Sequence, residues 1–203
     1  MFGINFGGKK KTEPQAEPQG EFLTARLNAR VQPIERGDHY EDPLEEILKK
    51  ENLGAVTGGG TQLADEPAGI EFCDLEIRVE EVSDETLQAV ISRLEDLGAP
   101  KGSKLILDSD NREIPFGKFE GIGVFLNGSD LPDEVYEQCD FDEVTDNFST
   151  LLGDAGQYRG YWHGSSESAI YCYGPSFEAM KAAIAPFLAS YPMCQGARVE
   201  QIA

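Results

Sequence analysis

Apolar and polar residues alternate from Leu23 onward. Leu23, Ala25, Leu27, Ala29 and Val31 are separated by Thr24, Arg26, Asn28 and Arg30. A period of two predicts a strand with one buried face. The pattern then changes. Asp42 suits an N-cap, Pro43 a first helical turn and Glu45 a capping box, while Leu44, Ile47 and Leu48 share one helical face. Leu53 to Gln62 reads as a glycine-rich strand. Cys73, Leu75, Ile77 and Val79 alternate with Asp74, Glu76 and Arg78, which predicts another half-buried strand. After Ser83-Asp84, Leu87, Val90, Ile91, Leu94 and Leu97 form a helical stripe, with Gly98 just past its end. Lys104 to Leu107 then closes a β-α-β-β-α-β order.

The second half repeats that order. Ile122, Val124 and Leu126 mark a strand. Phe141, Val144, Phe148 and Leu151 fall on one face of a long helix expected around Asp133 to Asp154. Gln157 to His163 and Ser168 to Tyr173 predict two strands. Phe177 to Tyr191 predicts a helix that Pro186 kinks or shortens, and Ala197 to Ile202 closes the sheet. Local detail recurs as well. Cys73 pairs with Cys172 in the third strand, Gly60 with Gly164 in the preceding hairpin, and Gly102 with Gly196 before the last strand. Val90 and Leu94 match Ile184 and Leu188. The pattern predicts an internal duplication. The expected fold is α+β, two ferredoxin-like βαββαβ repeats with helices on one face of each antiparallel sheet. Residues 1–20 are expected to be a flexible tail, 21–108 the first repeat, 109–121 a joint and 122–203 the second repeat.

Charge narrows the function. Asp and Glu number 37 against 17 Lys and Arg, for a formal net charge of -20 in 203 residues. Nucleic-acid binding requires clustered cations, and the one basic cluster is Lys9-Lys10-Lys11. The field instead favours a basic partner. No apolar run approaches the roughly 18 residues that span a bilayer, so no membrane partner is expected. The first apolar residues precede the lysines, opposite to a secretory signal. Cys73, Cys139, Cys172 and Cys194 form no CxxC pair. A cytoplasmic location with reduced thiols follows as the expectation.

Candidate chemistry is sparse. Thr57-Gly58-Gly59-Gly60-Thr61 lacks the Gly-Lys-Ser/Thr of a phosphate loop and reads as a hairpin or bulge. Trp162 and His163 stand at the corresponding place in the second half. His163 could act as a base for Ser165, but no third orienting group is evident. Trp162 with Tyr158, Tyr161, Tyr171 and Tyr173 could form an aromatic binding patch on whichever strand face is exposed, with core packing expected for the rest. Cys139, Asp140, Asp142, Glu143, Asp146 and His163 match neither a calcium nor a zinc spacing, so no metal or cofactor is expected. His39 reads as a loop residue, and Cys73 and Cys172 as small core residues. Asp142 and Glu143 stand on the outer face of the expected long helix.

Over residues 22 to 203 the duplicated order is similar to tandem ferredoxin-like regulatory proteins. Together with the acidity, it resembles bacterial regulators of ribonuclease activity, which bind and restrain an enzyme, and acidic immunity proteins of toxin systems. The resemblance lies in element order and charge, so no functional residue is carried over. It implies a non-enzymatic protein that binds, and restrains, a basic protein. Two alternatives stay open. A small molecule could bind between the repeats, as pockets favour such interfaces. An enzyme could use the Trp162-His163 region.

Overall fold

The computed structural model describes residues 20–64 and 69–203. Residues 1–19 of the expected tail lie outside the described residues. The first half runs β1 (Glu21–Leu27), α1 (Pro33–Arg36), a π-helical segment (Gly37–Glu41), α2 (Asp42–Glu51), β2 (Gly54–Leu63), β3 (Ile70–Val79), α3 (Asp84–Asp96), β4 (Ser103–Leu107) and β5 (Glu113–Phe116). The second runs β6 (Glu120–Asn127), α4 (Asp133–Gln138), α5 (Phe141–Leu152), β7 (Gln157–His163), β8 (Glu167–Gly174), α6 (Phe177–Ser190) and β9 (Arg198–Gln201). The sheets have orders β2-β3-β1-β4-β5 and β7-β8-β6-β9, antiparallel throughout. The first four strands of one and all four of the other share one ferredoxin-like order. The fold is α+β, as the alternation predicts.

The duplication extends to local detail. Ser83 caps α3 by accepting from Thr86 N–H at 3.2 Å, and Ser176 caps α6 by accepting from Ala179 N–H at 3.3 Å. Gly102 and Gly196 both take positive φ ahead of the last strand, at 85° and 74°. Val90, Leu94 and Ile184 are buried in their cores, and Leu188 packs against its own. Two matches need correction. The edge strands bulge between Val56 and Gly58 and between Tyr158 and Gly160, so the matching glycines are Gly58 and Gly160, not Gly60 and Gly164. Cys73 and Cys172 do lie on equivalent strands. However, Cys73 pairs with Leu27 at the end of β1, and Cys172 with Ile122 near the start of β6.

Three other elements differ from expectation. The chain is helical from Pro33, not from Asp42. Pro43 cannot donate a backbone hydrogen bond, and the π segment lies directly before the helix that contains it. The long helix expected from Asp133 to Asp154 is two helices. Cys139 is extended (φ -108°, ψ 147°), and the side chain of Asp140 restarts the helix by accepting from Asp142 N–H at 2.9 Å. Finally, residues 109–121 carry β5, which extends the first sheet, and the start of β6.

The halves share a core. In the first sheet, Leu23, Ala25, Leu27, Leu75 and Ile77 face the helices, and Leu44, Leu48, Val90 and Leu94 meet them. The same cluster takes in Phe125, Ala169, Tyr171 and Tyr173 from the far face of the second sheet. The helix-covered face of that sheet, with Ile122, Val124, Ile170 and Cys172, packs separately against Val144, Phe148, Met180 and Ile184. Polar groups also join the halves. Arg30 N–H donates to Tyr173 Oη at 2.7 Å, Gln32 Nε2 to Tyr161 O at 2.9 Å, and Arg159 Nη2 to Leu97 O at 3.0 Å.

At this contact Tyr40 is fully buried beneath the Arg159 guanidinium, and its hydroxyl has no partner among the described residues. A buried, unpaired hydroxyl costs about 1–3 kcal/mol. Tyr40→Phe removes it and keeps the ring. The expected result is a gain of about 1 kcal/mol and a Tm about 2–4 °C higher by calorimetry. A lower Tm would show that the hydroxyl is satisfied in solution.

Candidate functional site

Phe141 opens α5, with Val144, Phe148 and Leu152 buried below it. Its ring packs edge-on against Tyr161 (centroids 5.5 Å apart) and His163 (4.6 Å). The Trp162-His163 region and the acidic pair Asp142-Glu143, far apart in sequence, therefore meet around one phenylalanine. Asp142 and Glu143 are exposed. Glu143 Oε2 accepts from Tyr191 Oη at 2.8 Å, and that oxygen accepts from Asp140 N–H at 3.0 Å. These bonds tie the start of α5 to the end of α6.

His163 and Ser168 are direct partners across the β7–β8 hairpin. His163 Nδ1 lies 2.8 Å from Ser168 Oγ. The hydroxyl at hydrogen-bond distance is thus that of Ser168, where the sequence pointed to Ser165. Both line a cavity of about 160 Å³, together with Leu126, Tyr136, Phe141 and Met193. Tyr136 Oη accepts from Leu131 N–H at 3.0 Å and donates to Asn127 O at 3.3 Å, which holds one wall. Tyr136 and Met193 carry no sequence signal for this site. Strand pairing and the turn after α6 bring them there.

The aromatic residues of β7 and β8 divide between two faces. Tyr158 packs on the core of the second half, and burial raises the pKa of its phenol. Trp162 turns the other way, toward the shared core and Gly69. Tyr171 and Tyr173 are fully buried there. They serve packing and cannot reach a surface partner. His163 joins Phe141 at the cavity, and Tyr161 packs against both of their rings. Thr57 to Thr61 lies within the edge strand β2, with its bulge at Thr57. His39 belongs to the π segment, and burial, then Arg159, lowers its pKa.

Cys73, Cys172 and Cys194 are not poised for nucleophilic chemistry. Burial raises the pKa of Cys73 and Cys172, and it pushes Cys194 up to about 11. All four cysteines are free. Among the described residues no cluster of His, Cys, Asp and Glu has the arrangement of a metal site. Also among these, no helix is long and apolar enough to cross a membrane.

No protein-family model matches the chain, and no curated protein matches it. Solved structures show distant likeness. One is an unknown protein from Galdieria sulphuraria, with 9% identity, TM-score 0.28, and coverage of 90% of this chain and 96% of that one. Another is the regulatory subunit of aspartate kinase from Thermus flavus, with 12% identity, TM-score 0.27, and coverage of 83% and 93%. A third is the first two RRM domains of yeast poly(U) binding protein, with 10% identity, TM-score 0.25, and coverage of 89% and 99%. Likeness at this level carries no argument about activity or ligand.

Proposed function

We propose that this protein is a cytoplasmic, non-enzymatic binding protein whose second half presents an acidic face to a basic protein. One observation carries the reading. Between Lys118 and Arg159 the sequence contains no Lys or Arg, and that stretch forms α4 and α5 with Asp133, Glu134, Glu137, Asp142, Glu143 and Asp146 exposed. A field of one sign steers an oppositely charged partner. The free cysteines support a reducing compartment. The contact between the halves is filled by one continuous core, which favours this reading over a ligand bound between them.

Charge reversal tests it. Asp142 and Glu143 stand in the first turn of α5, and Glu143 also holds Tyr191. Lys at either position costs roughly 0.3–1 kcal/mol of helix-terminus electrostatics. Glu137 and Asp146 lie outside that turn, so Glu137→Lys with Asp146→Lys is the cleaner pair. Partners captured from lysate by the parent at low salt, and not by this variant, are then purified for stopped-flow kinetics. The expected result is association about tenfold slower at low salt, with a smaller salt dependence and an unchanged Tm. An unchanged association rate would overturn the reading.

A further inference from the structure

We propose that the cavity beside Phe141 is a socket for a single arginine side chain of the basic partner, an inference that rests on the acidic-face reading. The size of the cavity sets the class of occupant. At about 160 Å³ it is smaller than the roughly 300–1,000 Å³ of small-molecule sites, and it suits one side chain. Tyr136, Phe141 and His163 line it, together with Leu126, Met193, Asn127 and Ser168.

Charge sets the chemistry. Asp140 and Asp142 flank Phe141 and are exposed. Asp130 lines a neighbouring cavity that shares Asn127 with this one, and its N–H donates to Asn127 Oδ1 at 2.9 Å. A slot with aromatic walls and exposed carboxylates next to one wall residue fits guanidinium, which stacks on rings and pairs with carboxylates.

The protein completes this combination twice within its own chain. Arg26 lies 4.1 Å over Phe72 and pairs with Asp74 at 2.9 Å. Arg198 lies 4.1 Å over Phe125 and pairs with Glu167 at 2.9 Å. Phe141 has the ring and the neighbouring carboxylates, yet among the described residues no cation lies over it. Its ring contacts are Tyr161 and His163. An arginine from outside the chain supplies the third member.

The test is titration of the full-length, ¹⁵N-labelled protein with short peptides Ac-Ser-Lys-Xaa-Lys-Ser-NH2 at low salt, where Xaa is Arg, Leu or Ala. The Arg peptide is expected to bind about threefold or more tighter than the other two, the worth of an exposed cation–π contact. Its shifts should centre on Phe141, His163 and Ser168. Phe141→Leu keeps an apolar residue there and removes the ring. It should abolish the preference for Arg and leave the Ala peptide unaffected. His163→Ala, at an exposed position, should act in the same direction.

The failures are distinguishable. Equal binding whatever Xaa is would overturn the socket and keep the acidic face. Tighter binding of the Leu peptide would make the cavity an ordinary apolar pocket and overturn the arginine assignment. Failure of all three to bind would remove the socket and count against the acidic-face reading as well.

Discussion

Residues 120–203 produced alone are expected not to form a folded, soluble monomer, although they hold a complete βαββαβ unit. The reason is the far face of their sheet. Tyr171 and Tyr173 are fully buried, and both lie in the core cluster of the first half. Trp162 packs against the same cluster. Exposing three aromatic side chains forfeits about 1.5–3 kcal/mol each, or roughly 5–9 kcal/mol together. A whole domain is stable by only about 5–15 kcal/mol. Tyr173 Oη would also lose Arg30 N–H, and Arg159 would lose Leu97 O. The uncovered patch would favour association. The check is a ¹H–¹⁵N spectrum and a sedimentation measurement on the fragment. Collapsed dispersion or self-association is expected. The intact protein should unfold in one calorimetric transition. A well-dispersed monomeric fragment would show that the halves are independent.

This shared core also explains what could be read from the sequence. Leu23, Ala25 and Leu27 alternate cleanly with polar residues because the other face of the first sheet meets water. β6 and β8 carry a quieter signal. Phe125, Ala169, Tyr171 and Tyr173 are apolar on the face that a one-sided sheet would leave polar, and apolar residues on both faces mark a strand buried on both. That pattern was available, and it distinguishes packing from an exposed aromatic patch. β5 was not legible. It has four residues including Pro115, and a proline is tolerated there because the strand is an edge. The break at Cys139 was concealed by the apolar stripe that continues on α5.

The candidate site was half legible. Trp162-His163 and Asp142-Glu143 were singled out for separate reasons, and nothing in their spacing says that Phe141 joins them. Ser168 displaces Ser165 because hairpin register, not sequence proximity, decides which side chains stand opposite each other. Tyr136 and Met193 arrive through tertiary packing, which local pattern does not encode.

Gly117→Ala is expected to be among the most destabilising single substitutions outside the cores. Gly117 links β5 to the second half with φ at +107°, a conformation that side chains with a Cβ rarely adopt. A Cβ there would overlap the carbonyl oxygen of Pro100. The chain has little freedom to move away, since three bonds hold this passage to the last turn of α3 and the loop after it. Gly117 N–H donates to Glu95 Oε1 at 3.2 Å, Lys118 N–H to Ala99 O at 3.0 Å, and Lys101 N–H to Phe119 O at 2.7 Å. Backbone strain costs about 1–3 kcal/mol and forced displacement a similar amount. The sum is roughly 2–6 kcal/mol, which lowers Tm by about 10 °C in a chain of this size. Gly60→Ala provides the contrast. Gly60 lies in β2, and an added Cβ there meets nothing within 4 Å. Removing a strand glycine at such a position stabilises by about 0.5–1 kcal/mol. Calorimetry on the two variants separates the cases. A Gly117→Ala protein melting within error of the parent would show that the passage between the halves is slack. The shared core alone would then set how the two sheets meet.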